Sequence, residues 1–300
     1  MQMSGHAEEA STGMNRESIG SLWRETTARL GDRSTARWLC EVATGLDGDE
    51  LLAGLDEPVT DRMVAHLEHM LARLEAGEPL QYVLGRWGFR RLDLAVDHRV
   101  LIPRPETEQL AEVAIGLARD GLADSGSVTI VDLGTGSGAI GLALADELPL
   151  DGVAIWLTDV STDALDVARA NLAGIGRRAA NVRVAEGSWF KALPEELRAE
   201  VIVSNPPYVA EGSSDVEEIV THWEPTEALF AGADGLDDLR AIITGAPARL
   251  QPGGWLVLEI GHDQGSAVAE LCRSVGLIEI AIRPDAAGHD RIAVARRPPV

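Results

Sequence analysis

Lysine is nearly missing from this chain of 300 residues: Lys191 is the only one, and 26 basic residues face 48 acidic ones for a formal charge of −22. So acidic a protein lacks the positive footprint that phosphate backbones and anionic membranes require, so no direct nucleic-acid or membrane partner is expected; a basic protein partner is left open. Cysteine is equally scarce. Cys40 and Cys272 lie far apart and read as small buried hydrophobes, not as a disulfide or a catalytic thiol. No CxxC, HExxH or clustered His/Cys spacing is present, so no metal is expected. Apolar runs all stop well short of the roughly 18 residues needed to span a bilayer. The opening "MQMSGHAEEASTGMNRE" has no apolar core of a signal peptide, and a cytoplasmic protein is expected. Neither repeats nor low-complexity tracts are evident.

What is present falls into two patterns. Residues 18–76 read as helices: Leu22, Trp23 and Leu30, then Trp38, Leu39 and Val42, then Leu67, Met70, Leu71 and Leu74 recur at helical spacing, the last group behind a cap at Thr60. His66 and His69 have no acidic or thiol partner in register and are expected at the surface. Alternation in "LDLAV" and "RVLI" around a polar "DH" predicts a β-hairpin. Pro103 and Pro105 then stop the strand, and a helix is predicted to start near Glu106. From residue 127 onward, apolar runs ("VTIVDLG", "VAIWLTDV", "NVRVAEG", "EVIVSNP", "GGWLVLEIG", "IEIAI", "DRIAVAR") are mostly separated by helical segments. Strands apolar on both faces, alternating with amphipathic helices, predict a mostly parallel sheet covered on both sides. Only "RPDAAGH" joins the last two strands, too short for a crossover, so they are predicted to pair antiparallel.

"VDLGTGSGAIGLAL" reads as strand, glycine turn and helix. Gly134, Gly136 and Gly138 let the backbone approach a ligand, and the helix N-terminus offers unpaired N–H groups. Gly136, Gly138 and Gly141 also satisfy GxGxxG, so a nicotinamide dinucleotide is a competing ligand, as is a tight turn with none. Asp159, ending the second strand, is the expected acceptor for ribose hydroxyls. Asp132 tilts the choice: a carboxylate aimed into this turn favours a ligand with an ammonium group, such as S-adenosylmethionine, over a pyrophosphate. Its alternative role is to cap the turn.

"VIVSNPPYVA" ends the fourth strand in Asn205, Pro206, Pro207 and Tyr208. Ligands of an open α/β sheet bind outside the carboxyl ends of the strands, so Asn205 and the glycine loop are expected to share one crevice. A planar –NH₂ nitrogen is a poor nucleophile with two donors. The Asn205 oxygen can accept one and the Pro206 carbonyl the other, with the prolines holding that carbonyl still and the Tyr208 ring stacking on the planar group. As a competing reading, N-P-P-Y is only a turn.

"NPPY" together with "DLGTGSG" resembles the class I S-adenosylmethionine-dependent methyltransferases of planar nitrogens. With "GEPLQYVLG", "VLIPRPETE", "GSWF", "EPTEAL" and "GGWLVLEIG", the chain from about residue 20 onward resembles the bacterial release factor glutamine methyltransferases. The resemblance implies a Rossmann-like seven-stranded sheet with a terminal antiparallel hairpin, behind a small helical N-terminal domain. It implies methyl transfer from S-adenosylmethionine to the glutamine of the Gly-Gly-Gln motif in class I peptide chain release factors. Gly134, Thr135, Gly136, Ser137 and Gly138 would cradle the methionine part, Asp159 the ribose and Trp189 the adenine. Asn205, Pro206, Pro207 and Tyr208 would hold the glutamine, with Asn205 also next to the cofactor. The expected division is a disordered tail at 1–17, a substrate-recognising helical domain at 18–85, a hairpin linker at 86–108 and the methyltransferase domain at 109–300, in a monomer. One departure is "RWGFRRLDL", unusually basic where a more aromatic strand is expected. The rivals are a ribosomal-protein glutamine methyltransferase, a DNA adenine methyltransferase, against which the charge argues, and a non-catalytic cofactor-binding module.

Overall fold

The computed structural model describes residues 17–213 and 218–299. The expected tail at 1–17, apart from Glu17, lies outside the described residues. The chain divides into two compact units, one ending at Leu84 and one starting at Gly85.

The first unit is helical: α1 (Ile19–Leu30), α2 (Arg33–Thr44), α3 (Asp49–Ala53), α4 (Asp61–Glu75) and α5 (Leu80–Leu84). Side-chain caps start α1, α2 and α4, because the first N–H groups have no partner within the helix. Ser18 and Ser21 cap each other's backbone at α1, and Thr60 accepts from the Met63 N–H at α4. The predicted stripes converge on a core of Leu22, Leu39, Leu67, Met70 and Leu71, which Leu51 of α3 joins without having been predicted. Trp38 departs from its stripe and is 39% exposed. His66 and His69 are exposed, as expected.

The second unit begins with a two-stranded hairpin, β1 (Arg86–Phe89) and β2 (Leu92–Ala95), in which Phe89 faces Leu92 across Arg90 and Arg91. This corrects the predicted hairpin: "RVLI" is not a strand, and the basic stretch itself makes the turn. Arg90 takes a left-handed φ of 52°, uncommon for a non-glycine residue. Ion pairs hold it there. Its guanidinium reaches Glu147 and Glu112, each at 2.5 Å, while its N–H donates to Glu108 at 2.8 Å. Downstream, the Ile102 N–H donates to the Glu224 carboxylate, not to a neighbouring strand.

The seven-stranded sheet comprises, with its helices in chain order, α6 (Pro105–Ser125), β3 (Val128–Leu133), α7 (Ala139–Glu147), β4 (Val153–Asp159), α8 (Thr162–Gly174), β5 (Val182–Glu186), β6 (Ala199–Ser204), α9 (Glu218–Trp223), α10 (Asp237–Arg249), β7 (Leu250–Glu259), α11 (Gly265–Ser274), β8 (Ile278–Pro284) and β9 (Asp290–Arg296). Strand order is β5-β4-β3-β6-β7-β9-β8. β9 runs antiparallel to both neighbours and the other pairings are parallel, as the short last connection predicted. α6 and α7 cover one face around Leu110, Ile115, Leu142 and Ile130; α10 and α11 cover the other around Leu239, Ile242, Val268 and Leu256. Cys40 and Cys272 are free and buried, and burial pushes both thiols up to about 11. No described helix is long and apolar enough to cross a membrane. From β3 the chain steps outward to β4 and β5, then returns to β6 on the other side of β3. That reversal opens a crevice at the carboxyl ends of β3 and β6.

Candidate active site

The crevice holds a cavity of about 730 Å³ lined by the glycine loop, the end of β4, the start of the N-P-P-Y turn and the segments around Pro103 and Glu224. Gly134 and Gly138 adopt φ values of 68° and 87°, which L side chains avoid. A Cβ on Gly134 would stand 3.3 Å from the Trp189 ring, and one on Gly138 would meet Leu142 at 2.8 Å. At these two positions a side chain would be both strained and crowded, so the backbone turns tightly against Trp189 and Leu142 there.

Two carboxylates fix the loop. Asp159 accepts the Gly136 N–H and the Ser161 N–H, each at 2.9 Å. Each of its oxygens keeps a further lone pair for a hydroxyl, and the residue lines the cavity. Asp132 is fully buried beneath the loop, not in its mouth. Its Oδ2 accepts from the Thr135 hydroxyl at 2.6 Å and the Gly141 N–H at 3.0 Å, and its Oδ1 has no partner among the described residues. Burial pushes the Asp132 carboxyl up to about 7, because the charged form is taken out of water.

Thr135, Gly136, Ser137 and Trp189 all line the cavity. Trp189 starts a short 3-10 turn, Trp189–Ala192, with φ 47° and an exposed Lys191 two residues on. Asn205 and Pro207 line the opposite wall, whereas Pro206 is buried beneath it. The Tyr208 phenol turns away from that wall: its hydroxyl donates to Glu259 Oε1 at 3.1 Å and its carbonyl accepts from Gln264 Nε2 at 2.9 Å.

Sequence reasoning missed three residues. Thr107 donates its hydroxyl to Glu259 Oε2 at 2.7 Å and accepts from Asn205 Nδ2 at 3.2 Å. Glu259, ending β7, is buried with it. Glu224 accepts from Ile102 N–H at 3.0 Å and from the Arg104 guanidinium at 2.5 Å. The available signal was that all three sit in segments already singled out, "IPRPETE", "VLEIG" and "EPTEAL".

A mostly parallel seven-stranded sheet with an antiparallel strand inserted near its edge, a glycine turn after the first strand and an acid after the second define a Rossmann-like methyltransferase. The hMettl16 catalytic domain has the same fold, with a TM-score of 0.50 at 16% identity over 80% of this chain and 82% of that one. The PrmC N-terminal domain profile matches residues 22–85 and the methyltransferase small domain profile residues 118–224. The release factor glutamine methyltransferase of Xylella fastidiosa (strain Temecula1) is 42% identical over 278 residues, 93% of this chain and 98% of that protein. The protein of the same name from Vibrio cholerae is 42% identical over 246 residues, covering 82% and 83%. The chain belongs to the release factor glutamine methyltransferase family.

Proposed function

We infer that the protein methylates the side-chain amide nitrogen of the glutamine in the Gly-Gly-Gln motif of class I peptide chain release factors, using S-adenosylmethionine. Family membership supports the reaction. The observation that carries the site is Asn205, whose Nδ2 is spent on Thr107, leaving Oδ1 for another donor on the wall of the same cavity that the glycine loop lines.

The residues fit the cofactor. A glycine-rich loop offers N–H groups at a helix start, Asp159 has lone pairs for ribose hydroxyls, and Trp189 offers a flat wall for adenine. When ionised, the buried Asp132, with Oδ1 unpaired, places negative charge beneath the loop, which suits an ammonium and opposes a pyrophosphate. When bound, the cofactor supplies a methyl group on a sulfonium. The chain's own part is to hold the nitrogen. Asn205 Oδ1 and the Pro206 carbonyl accept its two N–H bonds, which orients the lone pair and supports the positive charge that develops on nitrogen. Both acceptors are preorganised, one by Thr107 and the other by consecutive prolines that fix φ. No strongly basic side chain is needed, because the N-methylated amide is very acidic until it loses its proton.

Asn205→Ala should lower the single-turnover rate on release factor by roughly 10²–10³, as for loss of one preorganised partner. Cofactor affinity, measured separately by calorimetry, should change far less. Asn205→Asp keeps an oxygen and should retain more activity than alanine. An alanine variant with a near-native rate would reduce N-P-P-Y to a turn.

A further inference from the structure

We propose that Thr107 and Glu259 are positioning residues that decide which end of the Asn205 amide is offered to the substrate. The inference rests on the reading of Asn205 as the acceptor for the glutamine N–H.

The two ends of an asparagine amide are nearly identical in shape and opposite in hydrogen-bonding sense. Offered Oδ1, a substrate –NH₂ is held. Offered Nδ2, it meets a second donor and is repelled. Shape cannot make this choice, so an outside group has to. In the structure the choice is passed along a chain of buried hydrogen bonds. Glu259 is 1% exposed and Thr107 is 4% exposed. As a carboxylate, Glu259 can only accept. The Thr107 hydroxyl therefore spends its one proton on Oε2 at 2.7 Å, and the Tyr208 hydroxyl spends its own on Oε1 at 3.1 Å. With its proton committed, Thr107 Oγ1 can only accept from Asn205, which must present Nδ2, at 3.2 Å. Oδ1 is what remains. One side chain at the end of β7 thereby reaches both ends of N-P-P-Y, Asn205 through Thr107 and Tyr208 directly.

A carboxylate is a costly group to bury for packing alone. Burial raises the Glu259 carboxyl, and the two hydroxyl donors and the Arg291 charge act against that rise, while Glu106 adds to it. A protonated or amidated side chain at 259 would be free to donate to Thr107, which would then donate to Asn205 and turn the amide over. The Glu259 charge and the Asn205 orientation are thus linked through one hydroxyl.

The test is a mutant cycle in the full-length protein, read by single-turnover methylation of release factor, with cofactor affinity and thermal midpoint measured for every variant. Thr107→Val keeps the shape and removes the relay. It should slow methylation roughly tenfold, the scale of one buried hydrogen bond, with cofactor affinity unchanged. Thr107→Ser keeps the hydroxyl and should restore most of the rate. In an Asn205→Ala background Thr107→Val should cost nothing further, because the group it orients is gone. Glu259→Gln should mimic Thr107→Val; if it fails to fold, the Thr107 cycle decides alone. An equal Thr107→Val penalty in both backgrounds, or no advantage of serine over valine, would overturn the inference. A near-native rate for Asn205→Ala alone would instead overturn the reading beneath it, and this inference with it.

Discussion

Asp132 carries two opposed demands in a single side chain. One oxygen ties the glycine turn to the first turn of α7, and the other is buried without a partner. With its folded pKa near 7 and its unfolded value near 3.8, the folded protein holds this proton over a window where the unfolded chain has released it. The unfolded state then binds fewer protons, so stability contributed here is present at low pH and lost as pH rises from about 4 to 7. Asp132→Asn should flatten that part of the stability profile, measured by denaturant unfolding at a series of pH values. Saturating S-adenosylmethionine separates the two roles read from the sequence. If its ammonium pairs with this carboxylate, the folded pKa drops and the bound protein loses the slope. If Asp132 only ties the turn, the slope persists.

Among the elements, the hairpin shows what the sequence conceals. Sheet order, the antiparallel β9, the glycine turn and the Thr60 cap follow from periodicity and connection length, which are local signals. The hairpin turn does not: Arg90–Arg91 contains neither glycine nor asparagine, and its left-handed φ is held by carboxylates on α6 and α7. Arg90→Ala should destabilise the protein by roughly 1–3 kcal/mol, since it strands the largely buried Glu147 carboxylate and leaves the backbone strain unsupported. Chemical denaturation measures this, and an unchanged midpoint would show that the turn holds itself. The polar chain behind Asn205 was hidden for the same reason. Thr107 and Glu259 are 152 residues apart, and Asn205 and Thr107 are 98 apart. Such partners emerge only once the sheet has folded. Asn205 itself was legible because two prolines after an apolar strand have no packing rationale.

For the whole molecule, the division after Leu84 suggests separable tasks. Among the described residues, the cavity is lined only by residues of the second unit. We propose that the helical unit recognises the release factor. Removing residues 1–84 should spare calorimetric cofactor binding and strongly impair methylation of intact release factor, and a folded truncation working at the full rate would refute that role. The acidic, lysine-poor composition has a practical consequence as well. Because Lys191 is the only lysine in the sequence and sits exposed on the turn beginning at Trp189, it is the one side-chain amine available to acylating dyes. A fluorophore attached there would stand beside the cavity wall against which adenine is expected to lie, giving an optical reporter of occupancy without engineered cysteines.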